Sequence, residues 1–184
     1  KLKYHLPNEF LLCVGTVETR KNQILILKAL QLLPKNIHLL LVGKTTPYRN
    51  ILNNFIELHR LQSRVQFLEN ISFSDLPAIY QLAKIFVYPS KFEGFGIPIL
   101  EALNSGVPVI ATTGSCLEEA GGPDSLYIHP DDDSGLSSTI LRLWTNETLR
   151  NQIIEKGKRF ALSFREDKVA AHLMRVYQKI IENA

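Results

Sequence analysis

Three features of the sequence predict an α/β fold: a Rossmann-like parallel sheet of about six strands, helices on both faces, and a helical C-terminal tail. Short apolar runs rich in leucine, valine and isoleucine alternate with longer segments of helical period, the pattern of strand, helix, strand units. Glycine-rich or basic turns follow two of the strands, and beyond residue 134 the strand pattern stops. The 184 residues, 45% hydrophobic and 21% charged, suit one generous domain that buries its own core.

The strands are expected at residues 10–14, 37–42, 64–68, 85–88, 108–111 and 125–128. Leu39-Leu40-Leu41-Val42 has the continuous apolar character of a strand buried on both faces, so it belongs inside the sheet. A first helix is expected from Asn22 to Leu33, stopped by Pro34, and a second from Tyr48 to Gln62. Ser74-Asp75-Leu76-Pro77 opens a third, running to about Ala83. Residues 134–183 read as three successive helices, the last with Val169, Leu173, Val176, Tyr177 and Ile180 on one apolar face. This tail is expected to close the domain. There is no internal repeat, low-complexity tract or linker that divides the chain.

The charge pattern narrows the partners. The net charge of +3 divides into +6 over residues 1–70, −7 over 71–140 and +4 over 141–184, which is not the uniform basic surface of a nucleic-acid binder. No apolar stretch approaches the roughly 20 residues that span a bilayer, and the start does not read as a signal peptide. Cys13 and Cys116 form neither a disulfide framework nor a metal-ligand spacing, so a reducing cytoplasm is the expected compartment, including peripheral attachment at the inner face of a membrane. His5, His38, His59, His129 and His172 are scattered, and Asp131-Asp132-Asp133 reads as a solvated loop and helix start, so no metal is expected.

Two turns carry chemistry. Ser90-Lys91-Phe92-Glu93-Gly94-Phe95-Gly96-Ile97-Pro98 follows the fourth strand. Its glycines allow a tight turn and close ligand approach, and Pro98 suits a first helical turn, where its missing N–H is not needed. Such a turn aims amide hydrogens and a positive helix end at the carboxyl edge of the sheet, where phosphate binds. Glu93 and Glu101 suit hydrogen bonds from sugar hydroxyls, because carboxylates do not bind phosphate. Gly15-Thr16-Val17-Glu18-Thr19-Arg20-Lys21-Asn22 follows the first strand; cations in a helix's first turn oppose its dipole, which points to a bound anion. A merely structural tight turn remains the alternative for either segment on these residues alone.

Two other readings fail on spacing or context. Gly43-Lys44-Thr45 looks like the end of a P-loop, but His38 stands where the first glycine of that motif is required. Glu93 and Glu101 could be a glycosidase pair, yet hydrolases of ordinary glycosides have no diphosphate to hold with an adjoining anion turn.

The run from Glu93 to Glu101, followed by Ala102-Leu103-Asn104-Ser105-Gly106-Val107-Pro108-Val109-Ile110, resembles the signature of the group 1 family of retaining glycosyltransferases. Gly15 to Asn22, Val65-Gln66-Phe67-Leu68, Tyr88-Pro89-Ser90 and Ser115 to Gly122 extend the resemblance over about residues 10–181. It implies the C-terminal, nucleotide-sugar-binding half of a two-domain GT-B enzyme, spanning residues 1–184, with the N-terminal acceptor-binding domain absent.

By that resemblance, Lys21 and Arg20 hold the donor diphosphate and Glu93 meets the donor sugar, the three together forming the catalytic set. Glu101 binds the ribose hydroxyls, and Gly94, Phe95, Gly96 and Ile97 offer amides to the phosphate and sugar. Gly15 and Thr16 line the donor, and the base lies near Phe67 and Leu68. The partners implied are a nucleotide sugar and an acceptor sugar or lipid-linked glycan, with neither nucleic acid nor metal. GDP- or UDP-hexoses, mannose above all, are the implied donors. The chain departs from the family pattern at Thr16, where many relatives carry arginine, at Glu118, often proline, and at Arg165, often aromatic. A non-catalytic nucleotide-sugar-binding module and a GT-B nucleotide-sugar epimerase are the alternatives, and the isolated domain is expected to bind nucleotide without transferring sugar.

Overall fold

The computed structural model describes residues 1–182; the last residues of the expected tail, 183 and 184, lie outside the described part. Six parallel strands form one sheet: β1 (Phe10–Val14), β2 (His38–Val42), β3 (Val65–Leu68), β4 (Ile85–Tyr88), β5 (Val109–Thr112) and β6 (Leu126–Ile128). Their order is β3-β2-β1-β4-β5-β6. The chain therefore starts in the middle, builds outward through β2 and β3, then returns to the other side of β1. The order reverses between β1 and β4, so the loops after these two strands meet at the carboxyl edge of the sheet, where sheets of this class bind ligands.

Alternation along the strands assigns the two cores. Leu11, Cys13, Leu39, Leu41, Ile85 and Val87 face one way, against α1 (Gln23–Leu32), α2 (Tyr48–Leu58) and α6 (Asp133–Thr145). Phe10, Leu12, Leu40, Phe86 and Tyr88 face the other, against α3 (Leu76–Leu82), α4 (Ile97–Asn104), α5 (Leu117–Gly121) and α7 (Glu147–Ala161). Both faces are covered, as the apolar strand sequences require.

Element ends shift for local reasons. The β5 ladder starts at Val109 because Pro108 accepts a bond from the Phe86 amide but has no N–H of its own to give. Arg64 stays outside β3; its buried guanidinium donates to the carbonyls of Ile37, Leu30 and Pro34 and ties the preceding turn together. The second helix stops at Leu58 rather than Gln62, since Arg60 takes a positive φ of 55°. Asp132 caps α6, accepting from the Gly135 amide at 2.7 Å, so the acidic run is a helix start.

One expectation is overturned. The last helix, α8 (Glu166–Glu182), does not close the domain: none of its residues is buried, and Val169, Leu173, Val176, Tyr177 and Ile180 are all exposed. The sequence pattern reported an amphipathic helix correctly, but amphipathicity does not say which surface receives the apolar face. The 3-10 turn Leu162–Phe164 joins it to α7, with Phe164 packed against Phe95 and Phe160.

Candidate functional site

The loop after β1 passes through a 3-10 turn, Thr19–Lys21, before Asn22 adopts the left-handed conformation and α1 begins at Gln23. This corrects the dipole argument. Arg20 and Lys21 occupy the end of a short 3-10 turn, not the first turn of α1, so no helix dipole opposes them. Asn22 clamps the region: its buried amide donates to the carbonyls of Pro89 at 3.1 Å and Pro130 at 2.8 Å, tying together the loops after β1, β4 and β6.

The cations meet Glu93 from the loop after β4. Lys21 Nζ lies 2.6 Å from Glu93 Oε1, and Arg20 reaches Glu93 Oε2 at 3.0 Å while also pairing with Glu18. Lys21 also donates to the Tyr88 hydroxyl at 2.7 Å, and the Lys91 amide donates to the Arg20 carbonyl at 2.8 Å. The Lys21 and Glu93 side chains are only 10% and 9% exposed, so this ion pair is poorly screened. Burial works to raise the Glu93 pKa, but the hydrogen bond and charge of Lys21, with Arg20 beside it, outweigh it and hold the carboxyl below its usual value.

The turn beyond Glu93 is shaped by Gly96, whose φ of +112° favours glycine and whose added Cβ would meet Leu117 at 3.1 Å. Gly96 is the N-cap of α4 and supplies no side-chain cap; Pro98 has no N–H and the Ile99 amide donates to the Gly96 carbonyl, which leaves the Ile97 amide to another acceptor. Cys116, from the start of α5, donates its thiol to the carbonyls of Glu93 at 3.1 Å and Phe95 at 3.4 Å. Those carbonyls are thereby held towards α5. Gly94 differs from Gly96: its φ is ordinary and nothing stands within 4 Å of an added Cβ.

Glu101 is not part of the cation cluster. It accepts a bond from the Tyr80 hydroxyl at 2.7 Å and lines a separate cavity of about 290 Å³ between α3 and α4, with Phe73, Leu76, Pro77 and Asn104. Gly15 adjoins the cluster, its Cβ position 3.5 Å from Lys21 Cε, and the Thr16 carbonyl accepts from Gln23 at 2.9 Å. One face of the Phe67 ring is covered by the Arg49 guanidinium, 3.8 Å from its centroid, and Leu68 packs towards the α3 side of the core. Phe95 touches Phe164, and Ile97 is exposed at the head of α4.

Sequence reading missed Tyr88, Asn22 as a clamp, and Cys116. Tyr88 and Asn22 were legible only as motif members, and the Cys116 thiol carried no signal at all, because its partners are backbone carbonyls more than twenty residues away.

A sequence profile of the family described as "Glycosyl transferases group 1" matches residues 3–160. The chain belongs to this family. It is 33% identical over 181 residues to O-antigen chain mannosyltransferase B of Escherichia coli, covering 96% of this chain and 48% of that protein. It is also 34% identical over 131 residues to O-antigen chain mannosyltransferase RfbU of Salmonella typhimurium, covering 71% and 37%. The chain thus spans about half the length or less of these curated relatives. Among solved structures, a sucrose-phosphate synthase from Thermosynechococcus elongatus superposes over the whole chain and 48% of its own length, with a TM-score of 0.86 at 25% identity. The C-terminal domain of a group 1 glycosyltransferase from Francisella tularensis matches 89% of each chain with a TM-score of 0.78 at 21% identity. These neighbours share the Rossmann-like half of the GT-B fold.

Proposed function

We propose that this group 1 glycosyltransferase chain is the donor-binding, C-terminal domain of a retaining enzyme. That enzyme moves a hexosyl group from a nucleoside diphosphate sugar to an acceptor hydroxyl. The observation that carries the proposal is the meeting of Arg20, Lys21 and Glu93 at the carboxyl ends of β1 and β4, beside the uncapped head of α4. Departure of the nucleoside diphosphate builds negative charge on the leaving oxygen. Preorganised cations and amides stabilise that charge without a metal ion. Lys21, Arg20 and the amides from Gly94 to Ile97 take that role. Glu93 accepts hydrogen bonds from the donor sugar and Glu101 from the ribose, while the base lies towards Phe67 and Leu68.

The mannosyltransferase relatives support a mannosyl donor and a surface-glycan or lipid-linked acceptor. A structural neighbour described in complex with UDP-glucose, HepE of Anabaena, supports a nucleotide sugar as ligand through its shared fold. In this reading a separate N-terminal domain supplies the acceptor wall, and the whole enzyme works in the cytoplasm at the inner membrane face. Isothermal titration of the 184-residue chain with GDP, UDP, ADP and GDP-mannose tests the donor role. Saturable binding of at least one nucleoside diphosphate is expected; no binding by any of them overturns the reading.

A further inference from the structure

The Lys21 side chain is long, and an ammonium on a flexible four-carbon stem loses considerable rotamer freedom when it is held in one place. Three donors radiate from its nitrogen. One contact runs to Glu93 at 2.6 Å and one hydrogen bond runs to the Tyr88 hydroxyl at 2.7 Å. The two partners differ in kind. Glu93 sits in the glycine-bearing turn, whereas Tyr88 is the last residue of β4, 1% exposed, in a central strand.

The Tyr88 ring is fixed by packing. It stacks on Phe86 at 5.8 Å between centroids, and Phe86 packs on Tyr80 at 5.4 Å. Phenylalanine would serve the core equally well at this position, and a buried hydroxyl costs free energy unless it is bonded. The hydroxyl accepts its hydrogen bond from Lys21. Burial, followed by the Glu93 charge, drives the phenol's ionisation far above its ordinary range, so the group remains a neutral acceptor for the ammonium.

We propose that Tyr88 is the positioning residue of the diphosphate cation: its hydroxyl holds the Lys21 ammonium as a second anchor beside Glu93. The proposal rests on the donor-binding reading above. When Glu93 turns to a sugar hydroxyl, Lys21 loses one anchor and keeps the rigid one, so its remaining donors stay aimed at the phosphates.

The test is calorimetric titration of the 184-residue chain with GDP, UDP, guanosine and uridine. Tyr88→Phe keeps the ring and deletes one oxygen, and its melting temperature and near-UV circular dichroism verify that it folds. Affinity for the nucleoside diphosphate should fall about threefold to tenfold, the scale of one charge-assisted hydrogen bond, with nucleoside affinity unchanged. In a Lys21→Ala background the same Tyr88→Phe change should have no further effect, because the coupling runs through the ammonium. A merely structural tyrosine would lower nucleoside and diphosphate binding together, and that result overturns the proposal. So does an undiminished diphosphate affinity, or an equal loss in the Lys21→Ala background. If the wild-type chain binds no nucleoside diphosphate, the donor reading itself fails and takes this role with it.

Discussion

Lys21 and Glu93 illustrate how neighbouring charges of opposite sign can neutralise each other. Arg20 and Lys21 meet Glu93, and Arg20 also pairs with Glu18, so in the donor-binding reading proposed above a diphosphate competes with these carboxylates for both cations. Lys21→Ala should therefore weaken nucleoside diphosphate binding about tenfold or more while leaving the bare nucleoside nearly unaffected, as measured by calorimetry. Glu93→Gln should do the reverse for the diphosphate and tighten it about threefold to tenfold, because Lys21 loses its carboxylate partner and Arg20 keeps only Glu18. In the two-domain enzyme proposed above, the same change should abolish most transfer. The carboxyl is held below its usual value, so its ion pairs stabilise the fold above the unfolded-state value near 4.3 and lose that contribution as the pH falls through the lower native value. Acid unfolding of Glu93→Gln should consequently be less steep below pH about 4 than that of the wild type. The residues of this cluster were legible in the sequence, since two basic side chains after one strand and a glutamate after another converge in an open parallel sheet. Their pairing was not. An ion pair spanning more than seventy residues depends on strand order, and strand order has no local signature.

At the scale of elements, the strands and helices followed their punctuation, while the turns held constraints visible only in three dimensions. Gly43 is the clearest case. As the end of a failed nucleotide motif it has no purpose, yet its φ is +148° and an added Cβ would lie 2.2 Å from the Gly15 carbonyl oxygen. The loops after β1 and β2 run side by side at this point, the Gly15 and Val17 amides donating to the Val42 and Lys44 carbonyls, and Val17 and Thr45 form an isolated parallel bridge just beyond it. Gly43→Ala should cost about 2–4 kcal/mol in chemical denaturation, through backbone strain and displacement of the Gly15 loop. Gly94→Ala, with open space and an ordinary φ, should lie within about 1 kcal/mol of the wild type. Comparable losses at both sites would contradict this division of the two glycines. The Cys116 thiol was unreadable for the same reason as the close approach of Gly43 to Gly15: it matters through the carbonyls it meets, and every residue presents a carbonyl.

For the whole molecule, the sequence specified six strands and two covered faces, because continuous apolar runs of strand length permit little else. It did not specify where the last helix goes. The apolar face of α8 stands in solvent, whereas Leu136, Ile140 and Leu143 of α6 are fully buried. Replacing Val169 and Leu173 by glutamine should shift thermal stability by about 0.5 kcal/mol or less per site, while Ile140→Ala should cost about 2–4 kcal/mol. A large loss from the α8 pair would show that this helix contributes to the stability of the domain after all. The strand order has a last consequence, for the timing of folding. β2 pairs onto β1 and β3 onto β2, each after a single helical crossover, but β4 reaches its place beside β1 only after some seventy intervening residues have been laid down, with Leu11 opposite Ile85. The cations belong to the early half of the chain and their carboxylate to the late half. During synthesis or refolding, the anion trap therefore assembles only when this seam closes, at a loop-closure cost that local contacts do not pay. In a stopped-flow experiment, nucleotide binding should return no earlier than β4 docking, even where circular dichroism already reports the helices of the first half.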